Sequence, residues 1–347
     1  MKTTNPSTGP GTGARRRRVV VPAVASLLLA ASACGAPPQA GDDQQLTVVT
    51  AFYPLQYVAE NVAGDRARVT TLTAPGSEPH DLELTIRQVA ALSGADLVIY
   101  QKGFQPSVDK AVEQAQPKRV LDVSSVVPAA ASTDEGEHTG EHAHEHDEHG
   151  DEHEGGHEGE TAAEHAAHAG HDHGTTDPHL WLDPKNMARI SQAVERSLAE
   201  ADPAGAAAYT ASAQQLGGRL TALDRSFATG LKNCRRKEFI TSHAAFGYLA
   251  KAYGLHQIGI SGLAAESDPS PARIAEVQRL AREHGVTTIF YETLVSPSHA
   301  QAIAGDLKLR TDVLDPLEGI TDESRGSDYI SVQQANLAAL QTANGCQ

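Results

Sequence analysis

The sequence has no surplus of basic residues, few aromatic side chains and no apolar run of comfortable membrane-spanning length. Lys and Arg total 28 against 44 Asp and Glu, and aromatic residues make up 4% of the 347 positions. The sequence contains no basic patch interleaved with aromatic residues, so it gives no indication of nucleic-acid binding. The apolar stretch 19–30 is shorter than the roughly 20 residues that a membrane helix needs. The chain length favours two domains of ordinary size.

The negative charge is concentrated in one segment. The formal net charge is −16, and the segment 134–177 carries −15 of it, with fifteen acids and no Lys or Arg. The remainder is close to neutral. Because acids and glycines with almost no large apolar side chains cannot bury a core, we expect 134–176 to be disordered without metal.

The N-terminus has the parts of an export signal. Four arginines at 15–18 precede the apolar stretch 19–30, and small residues then lead to Cys34. Small residues before a cysteine resemble a bacterial lipobox, in which the cysteine is lipidated. We therefore predict a signal peptide over 1–33 and a lipidated tether over 34–45. Ordinary signal cleavage with an incidental Cys34 is the alternative.

Only three cysteines are present. If Cys34 carries the lipid, Cys234 and Cys346 remain. An exported protein folds in an oxidising compartment, where such a pair is expected to bridge. We predict a Cys234–Cys346 disulfide that pins the last helix to the start of the second domain.

Strands alternate with helices in both halves of the chain, which predicts an α/β fold with parallel sheets. The predicted strands lie at 46–51, 67–73, 96–100 and 119–123, and then at 238–242, 257–260, 286–291 and 311–314. We expect two parallel-sheet lobes, each with helices on both faces. The N-terminal lobe spans 46–184, the C-terminal lobe spans 233–347, and linker helices occupy 185–232.

The linker contains one long apolar stripe. From Tyr209 to Leu231 the apolar residues are spaced by threes and fours, as on one face of a single helix over 204–231. Such a helix could join two lobes as a stiff strut. The pair Gly217–Gly218 is a weak point, so two helices in one bundle are the alternative.

A histidine-rich tract precedes the linker. Neutral imidazole is a good ligand for Zn, Cu and Ni, so the tract is interpreted as a metal-gathering segment. A solvated spacer is the alternative. Eleven of the seventeen histidines belong to it: His138, His142, His144, His146, His149, His153, His157, His165, His168, His171 and His173.

Four further candidate metal ligands each come after the end of a predicted strand. His80 and His243 each come soon after a predicted strand, and His179 follows the fourth strand after the tract. Asp315 follows the last strand. Ligands of open parallel sheets bind beyond the carboxyl ends of the strands, so we expect a metal in the cleft between the lobes. The remaining histidines are interpreted as structural or surface residues: His256, His284 and His299.

Five motifs carry a resemblance over about 46–347 to the zinc-binding solute-binding lipoproteins of ABC metal importers (the cluster A-I, high-affinity zinc uptake family). The motifs are EPHD at 78–81, GADLV at 94–98, DPHLWLDP at 177–184, TSHAAFGY at 241–248 and LDPL at 314–317. The resemblance implies His80, His179 and His243 as ligands, with Asp315 or water in the fourth place. It also implies two lobes with little hinge motion.

The ligand types favour zinc. Three imidazoles and one carboxylate suit tetrahedral Zn²⁺, whereas manganese relatives have a carboxylate where this chain has His243. The sequence does not exclude Cu or Ni, which also bind nitrogen ligands well. Glu292 ends a strand and could compete with Asp315 as the fourth ligand. Glu78 could support a ligand without binding the metal itself.

The expected function is therefore carriage, not catalysis. The chain would capture Zn²⁺ at the outer face of the cytoplasmic membrane, held there by the lipid on Cys34, and deliver it as a monomer to an ABC permease. The alternatives are a binding protein of the same importer class for manganese or another divalent metal, and a zinc-storage or adhesin lipoprotein. The H-E-x-x-H match at 153–157 is interpreted as coincidence, because paired glycines in an acidic run will not form the required helix.

Overall fold

The computed structural model describes residues 45–128 and 176–347. Several sequence-based predictions fall outside the described residues. They are the signal peptide over 1–33, Cys34 with the tether up to residue 44, the histidine-rich tract over 138–173 and the H-E-x-x-H match at 153–157.

The N-terminal lobe is built on a four-stranded parallel sheet in the order β2-β1-β3-β4. Its strands are β1 (Leu46–Thr50), β2 (Ala67–Thr71), β3 (Leu97–Tyr100) and β4 (Val120–Asp122). Its helices are α1 (Tyr53–Ala63), α2 (Ile86–Gly94) and α3 (Pro106–Ala115). Val48 and Val49 of β1 pair with a strand on either side and are almost wholly buried. Strands buried on both faces have continuous apolar sequences of this kind.

The C-terminal lobe repeats the same topology, in the order β6-β5-β7-β8. Its strands are β5 (Glu238–Thr241), β6 (His256–Gly259), β7 (Thr288–Tyr291) and β8 (Arg310–Val313). Its helices are α6 (Gly247–Tyr253), α7 (Pro271–Glu283), α8 (Ser298–Leu307) and α9 (Tyr329–Asn344). In both sheets the second strand lies on one side of the first and the third strand on the other. A topological switch point, where α/β folds bind ligands, therefore lies between β1 and β3 and between β5 and β7.

Two helices join the lobes, α4 (Pro184–Ala201) and α5 (Ala206–Gly230). The long linker helix predicted from the apolar stripe is present as α5, about 37 Å long at 1.5 Å per residue. It passes without interruption through Gly217–Gly218, so the single helix is present and the alternative of two helices in one bundle is wrong. α5 packs against α1 of one lobe and α9 of the other.

The predicted Cys234–Cys346 disulfide is confirmed. It ties the end of α9 to the segment between α5 and β5. The fold class predicted from the sequence is also confirmed. In the C-terminal lobe, α6 begins at Gly247, and 242–246 bend around the end of β5 before it. None of the helices described by the structure is both long and apolar enough to cross a membrane.

Candidate metal centre

Three histidines from three separate loops converge between the lobes. His80 lies in the loop after β2, His179 immediately precedes a short 3-10 turn at Leu180–Leu182, and His243 is the second residue after β5. His179 and His243 are fully buried, and His80 is 7% exposed. The structure thus brings together the three histidines that the strand-end argument selected.

A fourth side chain, Glu318, completes the group. Its Oε1 lies 3.1 Å from His80 Nε2, 3.3 Å from His179 Nε2 and 3.4 Å from His243 Nε2. Glu318 is 1% exposed, and its other oxygen, Oε2, is buried without a hydrogen-bond partner among the described residues. A buried carboxylate oxygen with no donor is costly unless a cation satisfies it.

The spacing of the four ligand atoms suits a tetrahedral ion. His179 Nε2 lies 3.4 Å from His80 Nε2 and 3.3 Å from His243 Nε2. A tetrahedron with metal–ligand bonds of about 2.0–2.1 Å, the lengths usual for Zn²⁺, has edges of roughly 3.3–3.4 Å. The donor set and its spacing therefore both fit zinc.

The structure places Asp315 outside the ligand group, in contrast to the sequence-based expectation. Its carboxylate accepts hydrogen bonds from the backbone N–H of Leu317 at 2.8 Å and from the hydroxyl of Ser324 at 2.8 Å. Those bonds shape the loop that follows β8. Leu317 has a left-handed backbone (φ 59°), and the next residue is Glu318. Asp315 thus braces the turn that presents the fourth ligand.

Two carboxylates orient two of the imidazoles. Asp177 Oδ1 accepts from Nδ1 of His179 at 2.8 Å, and Glu292 accepts from Nδ1 of His243 at 2.8 Å. A carboxylate only accepts, so each Nδ1 carries a proton. Nε2 is then the nitrogen whose lone pair can bind a metal, once its own proton has left. Glu292, which the sequence offered as a competing ligand, therefore lies on the far side of His243 from the centre.

Glu78 lies beside His80. Its Oε2 accepts from the backbone N–H of His80 at 2.9 Å, and its Oε1 is 3.9 Å from His80 Nε2. Burial and the negative charge of Glu318 raise the pKa of Glu78 to about 8. Glu78 thus contacts a candidate ligand from outside the four-atom group, which fits the supporting place predicted for it.

The charges of the metal-free centre are paired. Burial would raise the pKa of Glu318, but hydrogen bonds from the three imidazoles hold it well below its ordinary value. Burial opposes protonation of His179 and His243, yet their carboxylate partners outweigh it and raise both pKa values. Burial dominates at His80 and lowers its pKa.

An aromatic wall separates the centre from the N-terminal core. The ring of Phe104 meets His80 edge-on at 4.7 Å, and Trp181 lies 5.3 Å from His179. Phe52 packs behind both aromatic rings, at 4.7 and 4.8 Å. Such surroundings exclude water and strengthen the electrostatic interactions inside the site.

The other histidines of the described chain lie elsewhere. His256 begins β6, and His284 caps the end of α7 near Glu238, at 3.7 Å. His299 pairs with exposed Asp268 at 3.2 Å. Their positions agree with the structural or surface roles expected for them.

Sequence reasoning missed Glu318 and Asp177 as site residues. The strand-end rule pointed to the loop after β8 but could not say which of its acids faces the cleft. Asp177 stands two residues before His179, within the DPHLWLDP motif, and that spacing was the available signal.

Two parallel-sheet lobes with a buried four-ligand centre between them define the class of two-lobed, metal-binding solute-binding proteins. The chain belongs to the family described as ZnuA, zinc-uptake complex component A periplasmic, whose profile matches residues 48–343.

Named relatives agree with this family. The chain is 33% identical over 302 residues to the high-affinity zinc uptake system protein ZnuA of Bacillus subtilis, covering 85% of this chain and 86% of the relative. It is 33% identical over 303 residues to the zinc-binding lipoprotein AdcA of Streptococcus pneumoniae, covering 85% of this chain. The match spans only 55% of that relative's length.

A solved structure is similar over nearly the whole fold. The Zn(II)-bound ZnuA-like domain of Streptococcus pneumoniae AdcA superposes with a TM-score of 0.66 at 29% identity. The match covers 86% of this chain and 99% of that domain.

Proposed function

We propose that this protein captures Zn²⁺ between its lobes and delivers it to the membrane permease of an ABC importer. The observation that carries the proposal is the tetrahedral set of three Nε2 atoms and one carboxylate oxygen, with the ligands His80, His179, His243 and Glu318. Family membership supports the transport role, and the names of the relatives support zinc.

Capture is an exchange of protons for metal. The carboxylates of Asp177 and Glu292 keep two imidazoles in the tautomer that offers Nε2. The ion replaces the hydrogen bonds and protons that join the imidazoles to Glu318. Four protein ligands leave no open coordination position for a substrate, which supports a carrier and not an enzyme.

Residues outside the described parts complete the proposal. Lipid on Cys34 would anchor the chain as a monomer at the outer face of the cytoplasmic membrane. The tract over 138–173 would raise the local metal concentration through many weak contacts. His179 comes six residues after His173, the last histidine of the tract, so the tract and the centre are close in the sequence.

Zinc titration by calorimetry, with native mass spectrometry for stoichiometry, tests the proposal. Three forms beginning after Cys34 are compared: intact, lacking 134–175, and with His80, His179 and His243 changed to Ala. One tight site that survives the deletion and disappears in the triple variant is expected. Tight binding that disappears with the tract and survives in the triple variant would instead favour zinc storage.

Two further measurements separate zinc delivery from manganese carriage, zinc storage and adhesion. Competition between Zn²⁺ and Mn²⁺ on the intact chain distinguishes a zinc carrier from a manganese carrier. Uptake of radioactive zinc by zinc-limited cells carrying wild-type or triple-variant protein distinguishes delivery from storage or adhesion. Equal uptake by both strains would contradict delivery.

A further inference from the structure

Buried carboxamides contact the backbone beside the histidine ligands. In the N-terminal lobe, Gln105 donates from Nε2 to the carbonyl of Pro79 at 3.0 Å, and Pro79 directly precedes His80. Gln105 is 1% exposed and donates also to the hydroxyl of Thr73, at the end of the β2 segment. The loop that carries His80 is thereby tied to the segment between β3 and α3.

The same arrangement recurs at the second histidine. Gln101 follows β3 and is 4% exposed. Its Nε2 donates to the carbonyl of Pro178 at 2.5 Å, and Pro178 directly precedes His179. Gln101 Oε1 has no hydrogen-bond partner among the described residues, so the bond to Pro178 is the polar contact that the structure describes for this side chain.

A third carboxamide holds the histidine of the other lobe. Gln257 of β6 is 2% exposed, and its Nε2 donates to the carbonyl of His243 at 2.9 Å. It also donates to the hydroxyl of Thr241 at 2.8 Å. That hydroxyl in turn donates to the carbonyl of His243 at 2.6 Å.

A fourth carboxamide acts on the loop of Glu318. Asn336 of α9 makes two bonds to Asp315: its Nδ2 donates to the carbonyl at 2.7 Å, and its Oδ1 accepts from the N–H at 2.9 Å. Asp315 in turn accepts from the N–H of Leu317, the neighbour of Glu318. The loop of each of the four candidate ligands therefore accepts a hydrogen bond from one buried carboxamide that belongs to another segment of the chain.

We propose that the carboxamide set, defined as Gln101, Gln105, Gln257 and Asn336, positions the four ligands at tetrahedral spacing before zinc arrives. The inference rests on the proposed zinc-binding function. The ligands lie on loops beyond the strand ends, where no sheet ladder satisfies their carbonyls. A carboxamide satisfies such a carbonyl without adding a charge near the ion. Holding the loops in advance lowers the ordering cost of binding.

Substitution by methionine removes the donor while keeping a side chain of similar length. We expect Gln101→Met, Gln105→Met and Gln257→Met each to raise the zinc Kd by about 10- to 100-fold, the usual effect of losing a group that orients a metal ligand. Zinc should also dissociate faster. The Mn²⁺ Kd divided by the Zn²⁺ Kd should become smaller, because a loosened site no longer favours a tetrahedral ion.

Gln341→Met is the matched control. Gln341 is partly buried and also donates from Nε2 to a backbone carbonyl, that of Gly230 at 3.2 Å, but Gly230 ends α5 and lies on no ligand loop. Asn336→Ala is the fourth site variant, and it should also raise the zinc Kd. Asn344→Ala is its control, since Asn344 lies on the same helix and donates to the carbonyl of Arg236 at 3.2 Å. The controls should lower the melting temperature of the metal-free protein and leave the zinc Kd within about threefold.

The experiment is run on the mature chain, with circular dichroism as a check of folding. Site variants that fold and bind zinc like wild type would overturn the inference, as would controls that weaken zinc binding equally. Gln101→Met is the decisive variant if the others fail to fold, because it removes a single bond. Absence of tight zinc binding in the wild type would instead contradict the proposed function itself.

Discussion

At the scale of single residues, two acids that lie three positions apart have different roles at the centre. Glu318 faces the three imidazoles, whereas Asp315 accepts backbone and hydroxyl hydrogen bonds three residues earlier. Both acids are buried and both follow β8. Only the turn at Leu317 decides which carboxylate enters the cleft.

Glu318→Gln should weaken zinc binding more than Asp315→Asn. The first change removes the anionic ligand, and we expect a loss in affinity at least as large as the roughly 10- to 100-fold that altering a group beside a metal ligand typically causes. The second keeps the oxygen that accepts from Leu317 and should act mainly on stability. Chelator competition measures the zinc Kd of each variant. If Asp315→Asn weakened zinc binding more than Glu318→Gln, Asp315 would be the better candidate for the fourth ligand.

Zinc affinity should fall with decreasing pH, beginning above the ordinary histidine pKa of about 6.5. Burial opposes protonation of His179 and His243, but their carboxylate partners raise both pKa values in the metal-free protein. These two imidazoles therefore take up protons first as the pH falls, and zinc must displace them. Competition titrations between pH 8.5 and 5.5 check this, with exposed His299→Ala as a control. An affinity that stays constant down to pH 6 would contradict it.

At the scale of elements, α5 behaves as one continuous strut despite its paired glycines. Among the described residues, no heavy atom outside the backbone of α5 and the neighbouring residues lies within 4 Å of a Cβ built at Gly217 or Gly218, so neither glycine is needed for close packing there. The apolar stripe of the helix binds both lobes and keeps the backbone helical through the pair.

Gly217→Ala with Gly218→Ala should stabilise the protein. Each change removes unfolded-state freedom and raises helix propensity, for a gain of about 0.5–1 kcal/mol apiece in the free energy of unfolding. Denaturant unfolding measures the gain. Zinc affinity should be unchanged, and a weaker affinity would indicate that α5 must bend during binding.

The Cys234–Cys346 bond should contribute to stability and not to metal affinity. It closes a separation of 112 residues, and losing such a link typically costs about 2–5 kcal/mol. Cys234 precedes β5, whereas His243 follows it, so the bond and the centre lie at opposite ends of that strand. Cys234→Ser with Cys346→Ser should lower the melting temperature with an unchanged zinc Kd. A changed Kd would mean that the bond also sets the position of β5.

At the scale of the whole molecule, the centre is assembled from both lobes. His80 and His179 come from the N-terminal lobe and its junction with α4, whereas His243 and Glu318 come from the C-terminal lobe. A bound ion would therefore tie the lobes together, in addition to the packing of α5 against both.

Zinc should raise the melting temperature of the whole described fold as one transition. Free zinc at 100 times its Kd adds about 2.7 kcal/mol to the free energy of unfolding. Calorimetry with zinc and with chelator measures the shift, and His243→Ala should abolish it. Two separate transitions, only one of them sensitive to zinc, would show that the ion is held by a single lobe.

The sequence alone determined the α/β class, the pairing of the two remaining cysteines, the long linker helix and three of the four candidate ligands. The cysteine pairing followed from the number of cysteines that remain if Cys34 carries the lipid. The other predictions depended on local signals, such as the apolar stripe from Tyr209 to Leu231 or a histidine placed just beyond a strand. Such signals follow from the periodicity of helices and from the geometry of parallel sheets. They do not depend on which distant residues meet.

Only the tertiary structure decided the fourth ligand and the supporting contacts. Glu318 enters the cleft because the loop after β8 turns at Leu317, and Gln257 reaches the carbonyl of His243 because β6 pairs with β5. Carboxamides have no sequence pattern of their own, since each satisfies whichever buried carbonyl packing brings near it. Contacts of this kind join residues far apart in the chain, so they are set by the packing of the whole fold.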